Sequence, residues 1–355
     1  MGSYMSKIRL KVAYYTPKTD SLSLMSDGIS KDVALLFDHT NKAYLNRTTL
    51  FPNCAPKGIF PRIVGVFYRV WFIAKFYLLD QLVDLHFISS PRPINLLGLS
   101  LIRKPIVFSS PTKFLGFETS NEFNDFVTRE QKYRAYIVVD DEDASIINNQ
   151  GKTFAKVIIP SVEHSKKTLQ SIVEPPQDEV RFIFASSPWS FEQFETKGLA
   201  SMFRTMSTNP KVSLFLLWRG LFRSELDQYI RDYKVESQVT VIDEIVDIDE
   251  YYNMVHGAIA IFSSMKNNKA YPNSIFDSII RGKPVIVSSN MPISGIIAKY
   301  KAGIVLKLGQ DDLSDVIKEY VAKYEILSKG AVALSEYLSP ERYVQEYEKF
   351  LDKTV

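Results

Sequence analysis

Short apolar runs alternate with longer, more polar segments along the whole chain, and this pattern predicts strands alternating with helices. The runs are rich in Val, Ile and Phe without polar alternation, which is typical of parallel strands buried on both faces. We therefore predict an α/β protein with doubly wound units. The predicted strands are 8–15, 84–89, 105–110, 135–139 and 156–160, followed by 180–186, 212–218, 239–243, 258–264, 284–289 and 303–306.

The polar segment 161–179 separates these two series of strands. Its adjacent prolines and its charged residues are typical of a linker. The chain has 355 residues, which is enough for two domains of ordinary size. We therefore expect one Rossmann-like domain in residues 1–170 and a second in 171–338. The tail 339–355 begins with Ser and Pro, which favour a helix start, so we expect a last helix that can cross back to the first domain.

Composition narrows the classes of function. The net charge of +3 does not favour general binding to nucleic acid. The single cysteine, Cys54, excludes an internal disulfide and a cysteine-based zinc site, and the four histidines lack metal-ligand spacing. No apolar run is long enough for a transmembrane helix, and no signal peptide is recognisable. The expected location is therefore cytoplasmic, and no metal site is expected.

The stretch AYPNSIFDSIIRGKPVIVSS, residues 270–289, reads as a turn, a short helix, a Gly-Lys-Pro turn and a buried strand. The N–H groups and partial positive charge at a helix N-terminus suit a phosphate. We expect Asn273 or Ser274 to cap this helix. Asp277 then has two interpretations. It is either a capping-box acid that bonds back to Ser274, or a carboxylate that accepts the hydroxyl groups of a ribose.

The block 270–306 resembles the donor-binding segment of GT-B glycosyltransferases, especially the large retaining group called family 4. In that family a helix carries an acid, and a small residue, Gly-Lys-Pro-Val-Ile, a loop and a Gly follow it. The stretches 180–206, 212–230 and 239–264 resemble the elements that precede this segment, and 26–37 resembles the glycine loop of the first domain. The resemblance covers most of the chain. It implies the GT-B fold, in which two Rossmann-like domains face each other across a cleft.

The resemblance also implies roles for individual residues. Asp277 stands where the family has the acid that binds the ribose of the nucleotide. Lys197 matches the lysine that contacts the diphosphate, a task that suits a mobile ammonium group. The other donor-site residues it implies are Asn273, Ser274 and Ile275 beside the diphosphate, Glu244, Ile245 and Val246 beside the nucleobase, and Gly28 near the sugar.

The chain departs from the family pattern at several positions. Lys269 stands where the family has the first acid of its motif, eight residues before Asp277. Ala185 and Ser186 replace a Gly-Arg pair after the first strand of the second domain, so Lys197 lacks its usual arginine partner. Arg219 has two interpretations: it supplies the missing positive charge, or it is an exposed loop residue.

Residues 59–79, IFPRIVGVFYRVWFIAKFYLL, are apolar except for Arg62, Arg69, Lys75 and two tyrosines. One interpretation is a core helix with a single solvated stripe. The other is an interfacial helix that lies on an anionic membrane surface, with Trp71 and neighbouring aromatic side chains inserted. The concentration of positive charge before residue 170 favours the second interpretation.

The predicted function is a metal-independent, retaining glycosyltransferase of the hexosyltransferase type. It transfers a sugar from a nucleotide-diphosphate donor to a hydroxyl of a saccharide or lipid-linked saccharide in cell-surface glycan synthesis. The nucleotide of the donor is UDP or GDP. The expected location is cytoplasmic, peripheral at the inner face of the cell membrane. The alternative is a non-catalytic GT-B subunit that binds a nucleotide sugar or a partner glycosyltransferase. A sugar-nucleotide epimerase of the same fold ranks last, because the sequence offers no convincing set of carboxylates and His for acid–base chemistry.

Overall fold

The structure is a computed structural model. It describes residues 10–16, 28–40, 48–49, 70–71, 74–90, 102–113, 133–149, 153–162, 175–188, 190–218, 222–266 and 268–355. The chain divides into two compact units. The first is Met1–Ile158 together with Val344–Val355, and the second is Ile159–Tyr343. Each unit contains one six-stranded sheet.

The sheet of the first unit is parallel throughout, with the strand order β2-β1-β3-β4-β5-β6. Residues 74–80, between β2 and β3, are helical. The elements of this unit are β1 (Val12–Thr16), α1 (Gly28–Thr40), β2 (Thr48–Thr49), β3 (Leu85–Ser89), β4 (Ile106–Ser109), β5 (Tyr133–Val138), α2 (Asp141–Asn148) and β6 (Phe154–Val157).

Aromatic side chains fill the core of the first unit. Phe108 packs edge-on against Tyr133 and Tyr136, with ring centroids 5.5 and 6.1 Å apart, and all three side chains are completely buried. Rings from the C-terminal end of the chain join this core. The ring of Tyr347 lies 5.3 Å from Phe87, and Phe350 lies 4.9 Å from the ring of Phe154 on β6. The last residues of the chain therefore pack on the first sheet.

The second sheet is also parallel, with the strand order β12-β11-β10-β7-β8-β9. Its strands are β7 (Val180–Phe184), β8 (Val212–Leu217), β9 (Val239–Ile242), β10 (Gly257–Ala260), β11 (Val285–Ser288) and β12 (Gly303–Leu306). Its helices are α3 (Gln193–Thr196), α4 (Leu199–Thr208), α5 (Arg223–Asp232), α6 (Ile248–Met254), α7 (Asn273–Ile279), α8 (Ser294–Tyr300), α9 (Leu313–Ala322), α10 (Tyr324–Tyr337) and α11 (Pro340–Leu351), of which α11 continues into the first unit.

The strand order of the second sheet is that of the Rossmann fold. Numbered within the sheet, the strands run 3-2-1-4-5-6, and the direction of winding reverses between β7 and β10. In sheets of this kind ligands bind outside the carboxyl ends of the strands at this switch point. A ligand site is therefore expected at the segments that follow β7 and β10.

All eleven predicted strands are present, and the predicted α/β class with two Rossmann-like sheets is confirmed. The two-residue strand β2 was not predicted. The predicted strand 258–264 ends at Ala260, because the chain beyond it leaves the sheet and Ser263 donates its backbone N–H to the carbonyl of Thr196 at 2.8 Å. The predicted last helix is confirmed as α11, and Ser339 accepts a bond from the N–H of Arg342 through its side-chain oxygen at 3.2 Å. Residues 163–174 of the predicted linker lie outside the described residues.

Candidate functional site

Lys197 lies at the switch point of the second sheet. It follows α3, and Gly198 after it has a positive φ of 81°; a Cβ at Gly198 would lie 2.5 Å from a side-chain carbon of Ile261. Glycine is therefore required where the segment after β7 passes the segment after β10. The bond from Ser263 to Thr196 joins the same two segments. Lys197 is 3% exposed, and its ammonium donates to the carbonyl oxygen of Ser187 at 2.8 Å.

Helix α7 begins differently from the prediction. Its N-cap residue is Pro272, and no side chain caps it. The expectation that Asn273 or Ser274 caps the helix is therefore wrong, and so is the capping-box interpretation of Asp277, which lies in the second turn. The ring of Pro272 fixes the backbone angle before the helix, which supplies a start without a side-chain cap.

The polar groups on the first turn of α7 have other partners. The side-chain oxygen of Asn273 accepts a hydrogen bond from the ammonium of Lys269. The carbonyl of Ser274 accepts a bond from the hydroxyl of Tyr252 at 2.7 Å. Ile275 is fully buried and anchors the turn in the core. The Asp277 side chain is 17% exposed, so its carboxylate keeps access to solvent at the end of this helix face.

The loop between β9 and α6 presents exposed residues after the carboxyl end of β9. Glu244 is exposed, Ile245 is 57% exposed, and Val246 is half-buried. The next residue, Asp247, caps α6 by accepting the N–H of Asp249 at 3.0 Å. These residues are therefore accessible to solvent on the loop that precedes α6.

Arg281 links α6 to α7. Its Nε donates to an oxygen of Asp249 at 3.1 Å, and a second guanidinium nitrogen bonds the same carboxylate. The remaining nitrogen donates to the carbonyl of Asp277 at 2.5 Å and lies 3.7 Å from its carboxylate. The guanidinium also lies over the ring of Tyr252, 4.6 Å from the centroid.

Tyr252 on α6 and Lys283, which binds the end of α6, both have shifted pKa values. Burial, and then the negative charge of Asp277, raise the pKa of Tyr252 well above its ordinary value, so Tyr252 stays a hydroxyl donor. Burial, and then the positive charges of Arg281 and Arg181, lower the pKa of Lys283 to about 7. Lys283 donates to the carbonyls of Tyr252 and Val255 at the C-terminal end of α6. The Gly-Lys-Pro turn is thus structural, because its lysine is 2% exposed and holds a helix end.

Comparison with solved structures identifies the fold. HepE from Anabaena, solved in complex with UDP and glucose, is 15% identical and matches with a TM-score of 0.69 over 97% of this chain and 100% of its own. Sucrose-phosphate synthase from Thermosynechococcus elongatus is 12% identical, with a TM-score of 0.66 over 97% of this chain and 99% of its own. WaaG, a glycosyltransferase involved in lipopolysaccharide biosynthesis, is 11% identical, with a TM-score of 0.63 over 94% and 98%.

The chain has the GT-B fold. No protein-family model matches it, and no curated protein matches its sequence. The predicted fold class is therefore confirmed by architecture rather than by sequence similarity.

Within this GT-B chain, the predicted site residues fall into three groups. Lys197 and the α7 residues Asn273, Ser274, Ile275 and Asp277 lie in segments that follow β7 and β10. Glu244, Ile245 and Val246 lie after β9, and Arg281 connects the helix that follows them to α7. Gly28 belongs to the first unit, where it is the first residue of α1. Arg219 lies outside the described residues.

Sequence reasoning missed Arg281, Asp249 and Tyr252. Arg281 stands four residues after Asp277, so an (i, i+4) acid–base pair was visible in the sequence. Asp249 carried no signal, because its partner lies 32 positions away. Tyr252 looked like any aromatic residue of an amphipathic helix.

The described part of the GT-B chain has neither a grouped set of metal-ligating side chains nor a membrane-spanning helix. Within the ranges that the structure describes, no three His, Cys, Asp or Glu side chains are grouped so as to hold a metal ion. The acidic run 140–143 is the start of α2, where Asp140 caps the helix and pairs with Lys113 at 2.8 Å. None of the helices in the described part of the chain is both long and apolar enough to cross a bilayer.

Proposed function

We propose that this chain is a glycosyltransferase that takes a sugar from a nucleotide-diphosphate donor. The observation that carries the proposal is a buried ammonium group, Lys197, at the switch point of a sheet with Rossmann order. A cation at this place suits a diphosphate, and the carboxylate of Asp277 suits the hydroxyls of a ribose. HepE, which has a similar fold, binds UDP and UDP-glucose, and this supports a uridine nucleotide ahead of GDP.

The mechanism follows from where charge develops. Transfer of the sugar breaks its bond to the diphosphate, and negative charge grows on the leaving phosphate oxygens. A preorganised positive group in a site with little water stabilises that charge strongly. Burial and the bond to Ser187 hold Lys197 in one place instead of leaving it mobile as the sequence suggested, and a fixed charge fits this role. An ammonium has three N–H donors, so the bond to Ser187 is compatible with a bond to phosphate.

The finer features of the reaction belong to the same proposal. We propose metal-independent transfer, because Lys197 supplies positive charge at the position of the leaving group. Retention of configuration is proposed on the resemblance of residues 270–306 to the retaining family. The acceptor is proposed to be a hydroxyl of a saccharide or lipid-linked saccharide in cell-surface glycan synthesis.

A panel of nucleotides tests donor binding. The melting temperature of the wild type, Asp277→Ala and Asp315→Ala would be measured with UDP, GDP, ADP, CMP and their sugar conjugates. A ligand that binds only the folded protein raises the melting temperature. We expect nucleotides of one base to raise the melting temperature of the wild type, and we expect this rise to be lost in Asp277→Ala. It should persist in Asp315→Ala, which removes an exposed carboxylate of α9 that pairs with Lys318 on the same helix. The absence of any rise with the wild type would reject the donor site.

Lys269 favours a second candidate function, a non-catalytic GT-B subunit. Its ammonium bonds to Asn273 at the start of α7, so a positive group stands where the resembled family has an acid. Release of UDP or GDP from the bound donor, in the presence of saccharide and lipid-linked acceptors, separates the two candidates. Binding without release, in the wild type and in Lys269→Glu alike, would favour the non-catalytic subunit.

We also propose peripheral attachment of the cytoplasmic enzyme to an anionic membrane through residues 59–79. Residues 59–69, 72 and 73 lie outside the described residues. Around the helical residues 74–80, several large apolar side chains are 40–68% exposed: Val70, Trp71, Tyr77, Leu78 and Leu82. Trp and Tyr are the residues that favour the membrane interface.

Co-sedimentation with vesicles tests this attachment. The wild type, the double variant Trp71→Ala/Leu78→Gln and the control Ile326→Gln would be mixed with neutral or anionic vesicles. Ile326 is 60% exposed but lies on α10 of the other unit. We expect pelleting of the wild type and the control with anionic vesicles only, and loss of pelleting for the double variant. Equal recovery of all three proteins in the supernatant would reject the attachment.

A further inference from the structure

We infer that Arg281 is a positioning residue of the donor site: it orients the carboxylate of Asp277 and couples it to the helix that follows the loop 244–246. The inference rests on the proposed function, because it takes Asp277 to be the group that binds a ribose.

The contacts of Arg281 account for all three guanidinium nitrogens. Nε and one terminal nitrogen bind Asp249 on the first turn of α6, and the other terminal nitrogen binds the backbone carbonyl of Asp277 and faces its carboxylate. Arg281 is 8% exposed. A planar guanidinium presents its donors in a fixed fork, so a carboxylate and a carbonyl bound by one fork have a fixed separation.

Tyr252 completes this arrangement from the opposite side. Its ring lies under the guanidinium, and its hydroxyl donates to the carbonyl of Ser274 on the first turn of α7. Tyr252 and Asp249 belong to one helix, α6. Helix α7 is thus held to α6 both at its first turn, by Tyr252, and near its end, by Arg281.

The position of α6 gives the contact a functional meaning. The loop 244–246 ends one residue before the cap of α6, and Asp249 lies three residues beyond that loop. A nucleoside that contacts this loop with its base and Asp277 with its ribose needs both groups at a fixed separation. Arg281 bonds to both α6 and α7. It therefore sets that separation and orients the Asp277 carboxylate without contacting the ligand.

A simple structural brace makes a different prediction from a positioning residue. A brace that only ties α6 to α7 stabilises the unit, so its loss lowers the affinity for every nucleotide equally. A residue that orients Asp277 acts through the ribose hydroxyls. Its loss therefore lowers the affinity only for nucleotides that carry those hydroxyls. Ligands with and without the two hydroxyls therefore separate the two roles.

The experiment is calorimetric titration with UDP, 2′,3′-dideoxy-UDP, GDP and 2′,3′-dideoxy-GDP. It would use the full chain as wild type, Arg281→Gln, Asp249→Asn and Asp277→Asn. Hydrogen bonds to a charged group are worth enough for about a tenfold change in affinity each. We expect the wild type to prefer the ribonucleotide by about tenfold or more. We expect Arg281→Gln and Asp277→Asn to lose that preference and Asp249→Asn to lose part of it, with affinity for the dideoxy nucleotide unchanged throughout.

Arg181→Gln is the matched control. Arg181 donates to the carbonyl of Met254 at the other end of α6, at 2.7 Å, so its loss weakens the same helix without a contact to Asp277. We expect this variant to keep the preference for the ribonucleotide. The double variant Arg281→Gln/Asp277→Asn should lose no more affinity than Asp277→Asn alone, because both changes remove one function.

Each outcome decides the inference. Equal losses for ribo- and dideoxynucleotides in Arg281→Gln, with the preference intact in the wild type, would overturn it and leave Arg281 a brace. Should Arg281→Gln fail to fold, Asp249→Asn carries the same test, since unchanged preference in that variant counts against the coupling. A wild type that binds none of the four nucleotides rejects the proposed donor site itself, and the inference with it.

Discussion

Each unit of the chain contains a polar network that includes a carboxylate, and the two networks differ in their exposure to solvent. In the first unit, His86 bonds to Asp80 at 3.1 Å and to the hydroxyl of Tyr15 at 2.9 Å, and all three residues are 0–1% exposed. In the second unit, Arg281 is buried, but the side chains of its carboxylate partners Asp277 and Asp249 are 17% and 42% exposed. One network is closed to water, and the other is open at its acidic ends.

The closed network is saturated by the protein itself. Besides His86, the carboxylate of Asp80 accepts the N–H groups of Arg103 and Lys104 at 3.0 Å. Burial raises the pKa of Asp80, but these bonds outweigh burial and lower it overall. Burial, partly offset by Asp80, lowers the pKa of His86. An ionised Asp80 only accepts, so His86 donates from Nε2 and accepts the hydroxyl of Tyr15 at Nδ1.

The difference in exposure is consistent with the proposal that the second network serves a ligand. The Asp80 network ties the helical residues 74–80 to β1 and β3, and a ligand has no access to it. The Arg281 network orients an acid that solvent reaches. The more deeply buried network is the architectural one, so burial of a titratable group is not by itself the sign of a site.

The largest expected effect comes from the same substitution made in both networks. Asp80→Ala leaves the imidazole N–H of His86 and two backbone N–H groups without their acceptor, and we expect it to lower the free energy of unfolding by about 3 kcal/mol. Asp249→Ala removes a half-exposed partner, and we expect a loss of about 1 kcal/mol or less. Urea unfolding and hydrogen exchange measure the loss of unfolding free energy in both variants. Equal losses would remove the distinction between the networks.

The pH dependence of stability gives the next largest effect and tests the buried histidine of the second unit. Burial, followed by the positive charges of Arg181 and Lys283, lowers the pKa of His256 to about 4. The unfolded state then binds a proton near pH 6.5 while the folded state stays neutral. The stabilisation is present above pH 6.5 and is lost as the pH falls through about 4. The loss amounts to about 3 kcal/mol.

His256→Gln is the control for that pH dependence, since carboxylates contribute to it as well. His256 accepts the N–H of Arg181 at Nδ1, at 3.0 Å, and a glutamine oxygen is also an acceptor. We expect the variant to show a flatter decline between pH 6.5 and 4 than the wild type. An unchanged decline would mean that His256 does not stay neutral in the folded protein.

Bound nucleotide should stabilise the second unit and not the first, with a slightly smaller change in the free energy of unfolding. At a free UDP concentration of one hundred times Kd, binding stabilises the folded state by about 2.7 kcal/mol. We expect slower hydrogen exchange in β7, β10 and α7 of the second unit and little change in β1 and β3, which carry the closed network. Protection of β1 and β3 with no change in α7 would contradict the assignment of the open network to the ligand.

The smallest expected effect is that of Tyr15→Phe. Burial, and then the charge of Asp80, raise the pKa of Tyr15 far above its usual value, so its hydroxyl remains a donor to His86 at any accessible pH. Removal of that donor leaves Nδ1 of His86 unpaired, and we expect a loss of about 1 kcal/mol by thermal unfolding. A stabilised variant would show that the network opposes folding of the first unit.

The strands, the α/β class and the segments that flank the candidate site could be predicted from the amino-acid sequence. Runs of Val, Ile and Phe without polar alternation are buried on both faces, so their pattern alone locates a parallel strand. Local chemistry likewise predicted the start of α11 at Ser339 and Pro340. These features depend on neighbours within a few positions, which a sequence displays directly.

The partners of the polar residues, in contrast, became visible only in the folded chain. Asn273 or Ser274 was expected to cap α7, and the cap is Pro272; Lys283 was expected in a turn, and its ammonium binds the end of α6. Asp249 meets Arg281, and Tyr15 meets His86, across 32 and 71 positions of the chain. A side-chain hydrogen bond needs its donor and acceptor about 3 Å apart, with a tolerance of a few tenths of an ångström. The strand order that brings such residues together is not a local property of the sequence.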